Sequence, residues 1–225
     1  MTAIPFRQDV YYPESDGKPM GETDVHIREI MYVCQALDEH LRNVQDVYVG
    51  ADLLLYYVEG NPKMFVVPDV FVTLGVPRGE RRIYKLWEEG RPPCLVVEVT
   101  SDSTRNEDLI RKKALYERLG VDEYVLHDPL GDYLSPPLQA HRLVNGRYQS
   151  IPLEPDGSFQ SRTVGVTFRM EGRGVRLLGT ATGEPILSNE EVREAQRAAE
   201  ERARVAEAEL ARLRAEIERL RGGQS

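Results

Sequence analysis

The chain has 225 residues and 25.6 kDa, enough for one full-sized domain and an appendage, with 41% hydrophobic and 29% charged residues. A net charge of -8 argues against a general nucleic-acid coat protein, since phosphate binding rests on Lys and Arg. Cys34 and Cys94 form no C-x-x-C pair and no His/Cys cluster, which speaks for buried thiols in a reducing compartment and against a zinc or disulfide framework. With no apolar leader and no run of membrane-spanning length, a cytoplasmic protein is expected.

Residues 1–20, rich in Pro, Gly and Tyr, read as a lead-in without regular structure. From Asp24 to about Arg42, Ile27, Ile30, Met31, Cys34, Leu37 and Leu41 recur at three and four, the face of an amphipathic helix. Asp46 to Val58 is β-rich, and Glu59-Gly60-Asn61-Pro62 is a turn. A strand from Met64 to Thr73 follows and carries Asp69 directly after Pro68. The next loop holds Arg78, Arg81, Arg82, Lys85 and Arg91, the best local candidates for a DNA contact, and reads equally well as a solvated basic loop.

Seven of the eight residues in Cys94-Leu95-Val96-Val97-Glu98-Val99-Thr100-Ser101 suit a buried strand, and Glu98 does not. Thr104-Arg105-Asn106-Glu107 fits a capping box opening a helix through Leu119, closed by Gly120. Glu123 to His127 is a further strand, ended by Asp128-Pro129. Helix, three strands, helix, strand predicts an α/β sandwich with a mixed sheet, in which the crossover helix makes at least one strand pair parallel. Residues 130–183 read as a β extension on the sheet edge, with a two-residue type I′ hairpin at Asn145-Gly146 and short strands at Val164–Met170 and Val175–Leu178. Ser188-Asn189-Glu190-Glu191 is another capping box, starting a helix to about Arg221. The tail from Ser188 holds nine acidic and eight basic residues, which leaves the body near -7 and hides no basic domain.

A carboxylate in an apolar strand must be desolvated, at a cost of several kcal/mol unless a cation or donors compensate. Glu98 is therefore the strongest candidate for chemistry, though an arginine ion pair would also explain it. Asp69 reads equally as a site acid or as an acid at a bend after proline. On the helix after Glu98, Leu109, Leu115, Tyr116 and Leu119 define an apolar face; Lys112 falls near its middle and Lys113 at its edge. Two acids on neighbouring strands and a lysine near them are the parts of a metal-assisted hydrolase.

Pro68-Asp69, Glu98-Val99-Thr100-Ser101, Ser103-Thr104, Asp108, Lys112, Tyr116, Gly120-Val121 and Glu123-Tyr124 together resemble the Uma-type family of restriction endonucleases, within the PD-(D/E)XK nuclease superfamily. The resemblance covers roughly residues 20–180 and implies a PD-(D/E)XK-like core at about 22–129 inside a nuclease domain of residues 1–183, followed by a coiled-coil helix at 184–225. It implies a magnesium- or manganese-dependent phosphodiesterase acting on DNA and leaving a 5′ phosphate. Asp69 and Glu98 would hold the metal, with the Val99 carbonyl, and Lys112 would orient the attacking water. The superfamily pattern places a lysine where this chain has Thr100; Lys112 resembles its migrated equivalent. A further glutamate on the first helix is common in the superfamily, and Glu22, with His26 one turn on, is the match, although an acid favoured by the helix dipole explains Glu22 as well. A non-catalytic DNA-binding or scaffolding protein of the same fold is the rival reading, with the charge of -8 and the missing lysine at Thr100 in its favour.

The tail carries heptads, with Gln196, Ala203, Leu210 and Ile217 at a and Val192, Ala199, Ala206, Leu213 and Leu220 at d. In a parallel homodimer Arg202 meets Glu207, Glu209 meets Arg214 and Glu216 meets Arg221. A homodimer is expected, against a single solvated helix or one folded back on the body.

Overall fold

The computed structural model describes residues 10–17, 23–101 and 104–222, apart from a few side chains near the end of the tail, among them Glu216, Leu220 and Arg221. Most of the lead-in, together with Glu22 and Ser103, lies outside the described residues. Contacts divide the chain into one unit at 1–186 and another at 187–225.

The first unit opens with α1 (Asp24–His40), capped by the Thr23 hydroxyl, which accepts a hydrogen bond from the His26 amide at 3.3 Å. It continues with β1 (Val47–Ala51), β2 (Leu55–Tyr56), β3 (Phe65–Val66), β4 (Val70–Leu74), β5 (Tyr84–Lys85), the single turn α2 (Leu86–Glu89) and β6 (Leu95–Val99). A wide π-type turn (Glu107–Lys112) then runs into α3 (Lys113–Leu119), followed by β7 (Glu123–His127), β8 (Leu138–Val144) and β9 (Arg147–Ser150). Last come β10 (Phe159–Gln160), β11 (Val166–Glu171) and β12 (Gly174–Gly179). The second unit is one helix, α4 (Asn189–Gly222), whose start is closed by reciprocal bonds between Ser188 and Glu191.

A six-stranded mixed sheet, ordered β1-β4-β6-β7-β8-β9, forms the centre. β6 and β7 are parallel, joined by the crossover through α3, and the other neighbours are antiparallel. The side chains of β6 alternate across it. Leu95 and Val97 join the core with Val33 and Leu37 of α1 and Phe168 and Leu177 of the sheet β10-β11-β12. Val96 faces the other core with Leu115 and Tyr116, and Glu98 shares that parity. The Asn145-Gly146 turn has φ +52° and +76°, as a type I′ hairpin requires.

Two local expectations change. The strand from Met64 to Thr73 is broken: β3 and β4 belong to different sheets, with Pro68 and Asp69 in the gap. Proline has no N–H for a ladder, and the Asp69 carbonyl instead accepts the Asp52 amide at 3.2 Å. The helix does start after Thr104, at residue 105, but the capping box is absent, because the Thr104 hydroxyl accepts the Ser101 amide at 3.1 Å and the helix widens at once into the π-type turn.

Candidate active site

Asp69 stands at the entry to β4 and Glu98 near the end of β6, and the antiparallel pairing of Val70 with Val97 sets them side by side. They are interlocked through the backbone: the Val99 amide donates to Asp69 Oδ2 at 2.7 Å, and the Asp69 amide donates to Glu98 Oε2 at 3.3 Å. From the helix above, Lys112 Nζ donates to Glu98 Oε2 at 2.8 Å and the Tyr116 hydroxyl to Glu98 Oε1 at 2.7 Å. Asp108, one turn before Lys112, comes within 3.2 Å of the same ammonium, but off the axis of a hydrogen bond, and both its oxygens are buried without an aligned donor.

The three residues singled out from sequence, Asp69, Glu98 and Lys112, therefore meet in one cluster. Lys113 does not join it, since its amine bonds His141 Nε2 at 2.7 Å. His26 reaches the cluster from α1: its Nε2 contacts the Val99 carbonyl at 2.5 Å and lies 3.8 Å from Asp69 Oδ2. Sequence reasoning counted Asp108 and Tyr116 among the residues of the family resemblance but gave neither a role in the site, and placed Tyr116 on the apolar face of the helix. The signal was present, because 108, 112 and 116 are spaced by four and share one helix face. Thr100, where the superfamily pattern has lysine, is buried and its hydroxyl has no hydrogen-bond partner.

The electrostatics set this cluster apart from a structural one. Burial raises Glu98 to about 7, and Asp69 adds to the rise while Lys112 opposes it. Burial likewise raises Asp69 and Asp108 to about 6 each, with Lys112 pulling both down and Glu98 pushing Asp108 further up. For Lys112, burial alone would lower the pKa, but Glu98, Asp69 and Asp108 outweigh it and hold the amine protonated. Glu123, at the far end of the next strand, makes the contrast. It too is fully buried, yet its pKa is lowered. The burial penalty is outweighed there by Ser161, Arg142, the Arg162 amide and Thr163. Glu123 is a satisfied structural acid, whereas three acids crowd one ammonium at Glu98.

Among the described residues no group of three His, Cys, Asp or Glu is gathered as a metal cage. Two adjacent carboxylates still suit magnesium, which keeps several waters and takes one or two carboxylates beside phosphate oxygens. The crowding of negative charge would be relieved by such a cation.

The basic loop after β4 is largely ion-paired, in part at the surface. Arg78 pairs with Asp38, Arg81 with Glu89 while stacking on Tyr48, Arg82 with Glu14 and Lys85 with Glu88.

Among solved structures the chain is similar to one titled a "putative nuclease" from Anabaena variabilis, with 15% identity over 65% of this chain and 76% of that chain and a TM-score of 0.48. No curated protein matches. A family model described as "Uma2: Putative restriction endonuclease" matches residues 3–171, most of the chain, and the protein belongs to that family.

Proposed function

We propose that the protein is a magnesium- or manganese-dependent endonuclease that hydrolyses phosphodiester bonds in DNA, with Asp69 and Glu98 as the metal-holding acids and Lys112 as the assisting cation. The observation that carries this reading is the gathering of three buried acids around one ammonium: Lys112 pairs with Glu98 and Asp108 and feels the charge of Asp69, with the carboxyls raised to about 6–7. A divalent cation there would supply positive charge to the scissile phosphate and acidify water, and the Asp69 and Glu98 carboxylates, with the Val99 carbonyl, would hold it.

Lys112 keeps its proton throughout, so it serves as charge and donor, orienting a water or phosphate oxygen, and not as a general base. Glu98, close to half-ionised near neutral pH, is the group able to exchange a proton there. Tyr116 and Lys112 hold the two Glu98 oxygens in place, and the Val99 amide fixes Asp69. His26 donates Nε2–H to the Val99 carbonyl and so steadies the strand end between the acids.

The test is nicking of supercoiled plasmid. Activity is expected with magnesium or manganese and is lost with chelator. Asp69→Ala and Glu98→Ala abolish it, and Lys112→Ala lowers turnover by about a hundredfold or more while manganese binding survives. Lys113→Ala, whose amine serves His141, leaves turnover near wild type. The ion pairs of Arg78, Arg81, Arg82 and Lys85 favour the non-catalytic scaffold as the second reading, because they spend the charge a DNA surface needs. Cleavage unchanged in both acid variants would remove the assigned site.

A further inference from the structure

The helix α4 contributes nothing to the chemistry above, and its composition has no use in an isolated helix. It runs without a break from Asn189 to Gly222, and along it Leu210, Leu213 and Ile217 are 53%, 50% and 49% exposed. These three sit at a, d and a of one heptad register, so they form a continuous apolar seam along one side. A solvated single helix would be held by ion pairs between its own turns. Among the described residues the ion pair within α4 is Arg204 with Glu201, which occupy outer b and f positions. Of the charges that flank the seam, Arg202 donates to the Ala198 carbonyl, and among the described residues Glu207, Glu209 and Arg214 enter no ion pair within α4.

We propose that α4 is the interface of a parallel, two-stranded homodimer, the occupant of the seam being α4 of a second copy. Self-complementary charge carries this choice. In a parallel pair each g position faces the e position five residues on in the partner, so Arg202 meets Glu207 and Glu209 meets Arg214, opposite in sign both times. A helix built for a different protein has no reason to complement itself.

Direction follows from where the large residues lie. A parallel, in-register pair stacks Leu210, Leu213 and Ile217 each on its own copy, gathering three large layers in the second half of the helix. Full-length antiparallel pairing sets the same residues against Ala206, Ala203 and Ala199, which leaves every layer half filled. Ile at a with Leu at d is the combination that suits two strands in preference to three or four. The Ala layers at 199, 203 and 206 make the first half the weaker part of the pair.

Light scattering of the full chain at micromolar concentration should give twice 25.6 kDa. Leu213→Glu should return it to the single-chain mass with thermal unfolding of residues 1–186 unchanged, which separates lost pairing from misfolding. Glu209→Arg should weaken the dimer severalfold, and adding Arg214→Glu should restore it. Ala199→Cys, at a d position far from the middle of α4, should form a cross-linked dimer on mild oxidation, as only a parallel register allows. A monomeric wild type, a dimer indifferent to Leu213→Glu, or no cross-link at position 199 would each overturn the proposal. So would a monomer whose body is destabilised by Leu213→Glu, since the seam would then be docked on its own chain.

Discussion

Asp108 holds no proton-donating partner on axis, yet it is almost completely buried. Its raised pKa fixes the sign of what its removal does. A group whose folded pKa lies above its unfolded value is favoured in the fold when protonated; any stability it contributes is present below the unfolded carboxylate range, near 4, and is lost as pH rises through the folded value of about 6. Asp108→Asn should therefore melt at a higher temperature than wild type at pH 8, by a few degrees, and the difference should shrink toward pH 5. Metal-free protein followed by circular dichroism checks this, and an asparagine variant that melts lower at pH 8 would show that Lys112 depends on Asp108 for its stability. At this scale Glu98 was legible from sequence because nothing in an apolar strand calls for a carboxylate. Asp108 and Tyr116 entered only through the family resemblance, and their roles were not legible, because an acid in the first helical turn and a tyrosine on an apolar face both have ordinary explanations.

The elements that carry the site were read with their boundaries displaced where local chemistry competes with pattern. Glu123 to His127 and the turn at Asn145-Gly146 appear as expected, since a short apolar run between Gly120 and Asp128-Pro129 and a two-residue turn signal leave little choice. Asp69 was placed inside a strand, whereas the proline before it ends one sheet and lets β4 start another. The π-type turn had no sequence signature. It turns Asp108 and Lys112 together into the buried side of the helix, a widening found often at functional sites. How tightly β1 and β4 must approach is testable at Gly50, which pairs with Phe71; a Cβ at Gly50 would lie 2.6 Å from the Phe71 ring. Gly50→Ala should cost about 1–3 kcal/mol in denaturant unfolding by overpacking, and no loss would mean that the ring has room to move.

On the scale of the molecule, one six-stranded sheet brings the cluster together from separate parts of the chain. Val70 pairs with Val97, which aligns the two acids, and the parallel crossover from β6 to β7 lays the lysine-bearing helix over them. The same sheet holds Glu123, which shows that burial alone does not raise a carboxyl when enough donors meet it. The excess of acid over base at one end of β6 is thus a local property, not a consequence of the net charge of -8. The central claim is that this end of the sheet takes a divalent cation between Asp69 and Glu98. Crystals soaked in manganese test it most directly, by anomalous scattering. The account predicts a peak touching both carboxylates, present at pH 8 and weakened at pH 5, where the acids are protonated. No peak there at pH 8, or a peak that persists in Glu98→Ala and Asp69→Ala, would contradict it.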